Sequence, residues 1–268
     1  MKDKSNIKMK VILRDTKETK DVSYPLANMY AIMHHDSMQN PRIHNVSIYE
    51  GMFAFSYDDY NLKFDLGISN ELDETFLREA YSFLKVEGKV VVDIGANIGD
   101  TAIYFAIKGA KKVIALEPYP YTFALATKNT NFSGFKDKIE IINAGYGEDK
   151  KIKIDTTFIP DAGSEIKENA DGSEINIYSL KTLISKYNID SGILKMDCEG
   201  CEYNLLNEDN ETIRKFEMIQ IEYHYGHEQL VKKLEGCGFS VRYTKPKKVY
   251  NSEATIKTLM QGYIYAQR

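Results

Sequence analysis

The sequence lacks the features that mark membrane, secreted and nucleic-acid-binding proteins. No run of about 18 apolar residues occurs in its 268 positions, so we expect no membrane-spanning helix. The formal net charge is −4, which argues against a protein dedicated to nucleic acid. The start, Met1-Lys-Asp-Lys-Ser5, leads into no apolar signal region. We therefore expect a protein of the cytoplasm.

Cysteine is scarce. Cys198, Cys201 and Cys237 are an odd number, which predicts no disulfide framework, and a zinc site with four cysteines is excluded. Cys198 and Cys201 form a CxxC pair, but Asp197 and Glu199 place negative charge beside it. That charge opposes thiolate formation, so we expect no redox role for the pair.

Apolar residues make up 43 % of the chain, which is enough for a packed core. From Lys89 onwards, short apolar runs alternate with helical patterns, as is typical of a doubly wound α/β sheet. Phe239–Tyr243 and Gly262–Ala266 close the chain with no long helix between them, so these strands should pair antiparallel. The prediction is a mostly parallel sheet of seven strands within residues 71–268.

Two segments depart from this alternation. Residues 1–70 contain short strand-like runs separated by turns, which predicts a β-rich N-terminal accessory region. Residues 148–178 contain an apolar alternation and then a polar stretch, which predicts an inserted hairpin or flap. Between the accessory region and the sheet, Ser69 or Asn70 is a candidate cap for a helix that ends near Gly88.

The first strand of the sheet leads into a glycine turn. Val90–Val92 form a β-branched run, Asp93 closes it, and Gly95 and Gly99 bracket the turn before a helix. Strand, glycine turn and helix in this order form the nucleotide-binding corner of a doubly wound sheet. The next strand ends at Glu117, about 20 residues beyond the glycines, which is the spacing at which a carboxylate reaches a ribose.

Each predicted strand is apolar until its end and polar there, and ligands of such sheets bind beyond these ends. The polar residues are Asp93, Glu117, Asn143, Asp197, and Glu222 with His224. Glu222 and His224 are two apart on one strand, so their side chains share a face, and Asp197 should lie on the adjoining strand. Such a group could serve as a general base or bind a divalent metal.

Four segments together resemble the FkbM-type methyltransferases, which are class I enzymes that use S-adenosylmethionine. They are Val92-Asp-Ile-Gly-Ala-Asn-Ile-Gly-Asp100, Leu116-Glu-Pro118, Leu194-Lys-Met-Asp-Cys-Glu-Gly-Cys-Glu202 and Ile221-Glu-Tyr-His224. Many methyltransferases share the glycine turn. The run Lys-x-Asp-x-Glu-Gly-x-Glu followed by Glu-x-His is far more specific to this family. Members typically methylate oxygen, often a sugar hydroxyl of a glycan, a glycolipid or an antibiotic.

The resemblance implies a division of the site into a cofactor part and an acceptor part. The methionine portion of the cofactor would lie at Asp93 to Gly99, the ribose at Glu117, and the adenine near Asn143 to Gly145. The implied cofactor contacts are Asp93, Gly95, Ala96, Asn97, Gly99, Glu117, Pro118, Asn143, Ala144 and Gly145. The implied acceptor-facing residues are Asp197, Glu199, Glu222 and His224. The resemblance does not indicate a metal.

The leading hypothesis is an O-methyltransferase for a small-molecule or glycan acceptor, with His224 as base assisted by Glu222 or Asp197. A tRNA methyltransferase is the first alternative, because Pro118–Asn131 resembles the tRNA guanine enzymes. Against it, Asp197-Cys-Glu-Gly200 stands where those enzymes usually carry Asn-Pro-Pro, and acidic groups repel phosphate. A nucleotide-binding protein without catalysis is the second alternative, because fold alone does not define function.

Overall fold

A computed structural model describes residues 7–37, 40–67, 69, 72–160, 164–251 and 254–268 of the chain. Ahead of the main sheet it contains a hairpin, a helix and a three-stranded meander. These elements are β1 (Lys8–Ile12), β2 (Thr19–Ser23), α1 (Tyr24–Ser37), β3 (Ile43–Tyr49), β4 (Met52–Tyr57) and β5 (Tyr60–Phe64). β1 pairs with β2, and β4 pairs with β3 and β5, all antiparallel. β2 was not predicted, because Val22 is its one apolar residue.

The rest of the described chain alternates strands and helices up to a final hairpin. The strands are β6 (Val90–Ile94), β7 (Lys112–Leu116), β8 (Ile139–Ile142), β9 (Ala144–Tyr146), β10 (Lys150–Ile154), β11 (Ser173–Tyr178), β12 (Gly192–Met196), β13 (Phe216–Tyr223), β14 (Ser240–Tyr243), β15 (Lys247–Tyr250) and β16 (Thr258–Gln267). The helices are α2 (Asp100–Ile107), α3 (Pro120–Ser133), α4 (Leu180–Tyr187), α5 (Asn210–Ile213) and α6 (Glu228–Gly236), with a 3-10 helix at Cys201–Asn207. Among the helices described, none has the length and apolar character needed to cross a bilayer.

Eight strands form the main sheet, in the order β14-β16-β13-β12-β6-β7-β8, with β15 paired to β16 outside this row. β8, β7, β6, β12 and β13 run parallel, and β16 is antiparallel to β13 and β14. The predicted doubly wound sheet and its antiparallel final pair are confirmed. β15 is an eighth strand that the sequence did not indicate, because all four of its residues are exposed.

The order of the strands creates a crevice. From β6 the chain moves outward to β7 and β8, and it then returns to β12 on the opposite side of β6. The loops that follow β6 and β12 therefore leave the sheet in opposite directions. This is the topological switch point at which doubly wound sheets bind their ligands.

A smaller sheet of three strands lies outside this row. β10 and β11 form an antiparallel hairpin within residues 148–178, and β11 runs parallel to β9. Ile154, Ile175 and Ile177 are buried together with Tyr119, the residue that precedes α3. The hairpin is thereby packed against the start of α3.

The helix expected over residues 69–88 is present only as a π-helical turn, Asp73–Leu77. Beyond it, Glu79 has a φ of +47°, a left-handed value that ends a right-handed helix. The Glu79 carboxylate accepts hydrogen bonds from Arg42 and from the hydroxyl of Tyr57. Contacts with the N-terminal meander therefore override the local helix preference. Two residues of the predicted first turn lie outside the described residues, Asn70 and Glu71.

Candidate active site

A cavity of about 890 Å³, including its open mouth, lies at the switch point. Its walls come from the ends of β6, β7 and β12, from β9, and from the π-helical turn before the sheet. Its lining includes Gly95 and Glu117 on the predicted cofactor side and Asp197 and Glu199 on the predicted acceptor side. Both parts of the site expected from the strand ends thus open into one cavity.

The turn after β6 is shaped by a close backbone contact. Gly95 has a φ of +81°, and its N–H donates to the carbonyl oxygen of Leu116 at 3.1 Å. A Cβ at Gly95 would lie 1.8 Å from the carbonyl oxygen of Asp197, so the position requires glycine. Among the predicted turn residues, Gly95 and Asn97 line the cavity. Ala96 and Gly99 are buried behind it.

We expect Gly95→Ala to lower the free energy of unfolding by about 2–4 kcal/mol, since the positive φ costs about 1 kcal/mol and the clash a further 1–3. Gly109→Ala is the matched control. Gly109 has a φ of +90°, but the nearest atom to its Cβ would be in the flexible side chain of Glu87, at 3.3 Å. Its expected loss is about 1 kcal/mol. Equal losses in urea unfolding would show that the loop after β12 does not restrict this turn.

Asp93 lies behind the glycine turn and not in the wall of the cavity. Its Oδ1 is 3.1 Å from Lys195 Nζ, and its Oδ2 accepts a hydrogen bond from Thr101 Oγ1 at 2.6 Å. Burial raises the pKa of Asp93, although Lys195 and Thr101 oppose this effect. Lys195 Nζ also donates to the carbonyl oxygen of Gly95 at 2.7 Å. Asp93 therefore acts on the turn through Lys195, a residue whose role the sequence motif left open.

Glu117 is fixed at the end of β7 by three hydrogen bonds. Its carboxylate accepts from the N–H of Asn97 at 3.0 Å, the N–H of Tyr119 at 3.1 Å, and the hydroxyl of Thr122 at 2.7 Å. Burial raises the pKa of Glu117 to about 7, against these hydrogen bonds. Of these three hydrogen bonds, Oε2 accepts only the one from Asn97. Oε2 can therefore accept a further hydrogen bond, for example from a ribose hydroxyl.

The pKa of Glu117 gives a prediction for cofactor affinity. If Glu117 binds the ribose, as the sequence predicts, the ribose hydroxyls would donate to the ionised carboxylate, and binding of S-adenosylhomocysteine should strengthen as the pH rises through about 7. At pH 6, about a tenth of Glu117 is ionised, and we expect about tenfold weaker binding than at pH 8. Calorimetric titration across this range measures the change. Glu117→Gln should flatten the profile, and an unchanged slope in that variant would assign the titration to another group.

Two of the three residues of the predicted adenine region line the cavity, and the third stabilises a neighbouring loop. Ala144 and Gly145 line the cavity beside Pro118. Asn143 does not line it, because its side-chain amide donates to the carbonyl oxygens of Glu117 at 3.0 Å and Pro118 at 2.8 Å. Asn143 thus holds the loop after β7 in place.

The loops after β12 and β13 bring the predicted acidic and histidine residues together. Ligand atoms of Asp197, Glu199 and His224 all lie within 4.8 Å of one another. His224 is 1 % exposed, with Nδ1 2.8 Å from Glu202 Oε1 and Nε2 3.1 Å from Glu199 Oε2. Burial lowers the pKa of His224, but the contacts with Glu199 and Glu202 outweigh it and raise the pKa well above its ordinary value.

Further acids and tyrosine hydroxyls adjoin this group. Burial, together with repulsion from Asp197 and Glu74, raises the pKa of Glu222 well above its ordinary value. Tyr263, the cross-strand neighbour of Glu222, donates its hydroxyl to Glu74. Tyr81 donates to Asp197 Oδ2 at 3.1 Å. Glu74, Tyr81 and Asp197 line the cavity, whereas Glu222 and Tyr263 do not.

Cys198 and Cys201 are joined by a disulfide, a pairing that the expectation of no disulfide framework did not include. Their Cα atoms are 5.4 Å apart. The residues between them, Glu199 and Gly200, have φ values of +56° and +115°, and this tight loop brings the two side chains together. Cys237 is buried as a free thiol.

Several site residues were not assigned a role from the sequence. Glu74, Thr75 and Tyr81 line the cavity from the segment predicted to be a regular helix. Asp100, the first residue of α2, also lines it, and burial raises the pKa of Asp100 to about 6. The spacing of Glu202 within Glu-Gly-x-Glu was the one available signal for its contact with His224.

Comparison with known proteins agrees with this geometry. The family model of the methyltransferase FkbM domain matches residues 93–241, which is more than half of the chain. The chain is 31 % identical over 186 residues to Uncharacterized protein 158B of Sulfolobus islandicus rod-shaped virus 1, covering 68 % of this chain and 88 % of that protein. It is 34 % identical over 76 residues to a ribosomal protein L11 methyltransferase of Carboxydothermus hydrogenoformans, covering 28 % of this chain and 25 % of that protein.

Among solved structures, a tRNA methyltransferase of M. jannaschii aligns with 81 % of this chain and 57 % of its own, at 13 % identity and a TM-score of 0.43. A likeness at that level says nothing about the acceptor of this chain. The family match and the resemblance of the strand-end motifs agree, and membership implies S-adenosylmethionine as the methyl donor. The chain belongs to the FkbM family of S-adenosylmethionine-dependent methyltransferases.

Proposed function

We propose that this protein transfers a methyl group from S-adenosylmethionine to a hydroxyl oxygen of a small-molecule or glycan acceptor, with a sugar hydroxyl as the first candidate. One observation carries the proposal: Gly95 and Glu117 open into the same cavity as Asp197 and Glu199. A cofactor held at the first pair would present its methyl group to an acceptor held at the second.

The cofactor supplies an electrophilic methyl group on a sulfonium, and the protein has to align the acceptor oxygen with it. The turn at Gly95 and Asn97 would receive the methionine portion, Glu117 the ribose, and the cavity wall at Ala144 and Gly145 the adenine. The carboxylates on the acceptor side also complement the positive charge of the sulfonium.

The acceptor side suits a polyhydroxylated molecule. Carboxylates accept hydrogen bonds from hydroxyls, and tyrosine rings provide flat surfaces with a polar end. Asp197 and Glu222 are the candidates for removing the proton of the acceptor hydroxyl. His224, the base of the sequence hypothesis, is a poorer candidate, because its raised pKa keeps the ring protonated. Glu202 and Glu199 lie against the two ring nitrogens of His224, at 2.8 Å and 3.1 Å.

A tRNA acceptor is the weaker candidate. The acceptor side of the cavity carries Glu74, Asp197 and Glu199, and these groups repel a phosphate backbone. A protein that binds the cofactor without catalysis would have no use for the convergence of Asp197, Glu199 and His224.

The test is methyl transfer from labelled S-adenosylmethionine to three substrate sets: a sugar and glycolipid panel, tRNA, and polar small molecules from a cell extract. We expect label in a carbohydrate or hydroxyl-bearing product, and mass fragmentation should assign it to oxygen. Label in tRNA would support the first alternative. Binding of S-adenosylhomocysteine without transfer to any set would support the non-catalytic one.

A further inference from the structure

We propose that Asp197, Glu199 and His224 bind a divalent first-row metal ion that holds the acceptor hydroxyl. This inference rests on the proposed methyl transfer and adds the means by which the acceptor oxygen is oriented and activated. The ligand atoms lie within 4.8 Å of one another, so they can close on an ion by rotation of side chains. They come from the ends of two neighbouring parallel strands, β12 and β13.

The surroundings of His224 resemble those of a metal-ligating histidine. Nδ1 lies 2.8 Å from Oε1 of Glu202, a fully buried carboxylate that also accepts the backbone N–H of His224 at 3.1 Å. A metal-bound histidine almost always donates its second ring nitrogen to such a partner, which fixes the ring and its tautomer. With Nδ1 engaged by Glu202, Nε2 is the nitrogen left to face the cluster.

Nε2 of His224 is buried and forms no hydrogen bond of good geometry, although Glu199 Oε2 is 3.1 Å away. A nitrogen lone pair facing a carboxylate oxygen is repulsive, so without a metal Nε2 carries a proton in this contact, and a bound ion would take the place of that proton. Asp197 adds a second carboxylate to the same point. Lys195, the nearby buried cation, is already paired with Asp93. A divalent cation would balance the cluster.

The positions of the three proposed metal ligands relative to the cavity leave room for an exchangeable ligand. Asp197 and Glu199 line the cavity, whereas His224 lies behind them. Three protein ligands on one side leave coordination positions open toward the acceptor, as in catalytic metal sites. The disulfide on either side of Glu199 restricts the loop that carries it. Carboxylate oxygens suit Mn²⁺ and imidazole suits the later first-row ions, so the mixed set favours a first-row ion over Ca²⁺.

The chemical step balances without a further reagent. With the acceptor hydroxyl held at this site, its proton would pass to a carboxylate such as Glu222. Its oxygen then forms a bond to the methyl carbon as the carbon–sulfur bond breaks. The electron pair of that bond goes to sulfur, which leaves as S-adenosylhomocysteine.

The experiment is a titration of the tag-free, chelator-treated full chain with Mn²⁺ in the absence of cofactor. Binding is measured as the loss of the free-ion signal in electron paramagnetic resonance. We expect about one ion per chain, and at least about tenfold weaker binding in Glu199→Gln and Asp197→Asn. Glu211→Gln is the matched control, since that side chain is 84 % exposed and pairs with Arg214. Its binding should equal that of the parent.

Absence of Mn²⁺ binding, or equal binding in parent and Glu199→Gln, would overturn the metal proposal. Because the measurement needs neither cofactor nor acceptor, it is separate from the test of methyl transfer. Methyl transfer that persists in excess chelator would support the proposed function and would show that the reaction does not need a metal. Failure to bind S-adenosylhomocysteine would remove the proposed function, while specific Mn²⁺ binding would still support the metal site itself.

Discussion

Replacing Lys195 with methionine should lower the free energy of unfolding by about 3–5 kcal/mol. Lys195 and Asp93 are 1 % and 0 % exposed in their side chains, so the variant leaves a buried carboxylate without its partner. Burial lowers the pKa of Lys195, but Asp93 and Asp197 outweigh it and raise the pKa, which keeps the ammonium charged. The same change also removes the hydrogen bond to the carbonyl oxygen of Gly95.

Lys89→Met is the matched control. Lys89 pairs with Glu217 at 2.8 Å, but these side chains are 33 % and 39 % exposed, and such pairs contribute about 0–1 kcal/mol. Adding Asp93→Asn to Lys195→Met should recover part of the loss, because it removes the uncompensated charge. Chemical denaturation of the four proteins tests this. Similar losses at Lys195 and Lys89 would contradict the role given to the buried pair.

Asp197→Asn should lower the rate of methyl transfer by about 10²–10⁴-fold and leave the affinity for S-adenosylhomocysteine nearly unchanged. Asparagine keeps the size of the side chain and can still accept the hydrogen bond from Tyr81. It removes the negative charge that proton transfer or metal binding requires. The comparison needs the turnover and the cofactor affinity of the same preparation.

Asp190→Asn is the matched control for this rate. Asp190 precedes the same strand, is 91 % exposed and pairs with Lys215 on the surface. Its methyl transfer should equal that of the parent. Near-parental turnover in Asp197→Asn, with intact cofactor affinity, would show that Asp197 takes no part in the reaction. Another residue would then have to remove the proton.

The sequence predicted the positions of the strand ends because a buried parallel strand requires an apolar run that stops at the edge of the sheet. Asp197 and His224 meet because β12 and β13 are parallel neighbours, a relation that follows from the usual strand order of this fold. Ser179 is a residue type that commonly caps helices, and its hydroxyl accepts the N–H of Thr182 at 3.1 Å at the start of α4. These features depend on local pattern and on the general rules of the fold.

Other features depend on contacts between distant residues, which no local pattern reports. The regular helix expected over residues 69–88 is absent because Glu79 is bound by Arg42 and Tyr57 of the meander. Asp93 pairs with Lys195, which lies 102 positions away in the sequence. Because no local pattern reports this pairing, the sequence alone indicated a cofactor ligand at Asp93. Asn143 has the polarity of a base-binding residue but is engaged by backbone carbonyls.

The most direct test of the central claim is calorimetric titration of the purified protein with S-adenosylhomocysteine and, in parallel, with NAD. We expect saturable binding of about one S-adenosylhomocysteine per chain and no measurable heat with NAD. Binding of NAD in its place, or no binding of S-adenosylhomocysteine to the folded protein, would contradict the assignment of this cavity to a methyl donor.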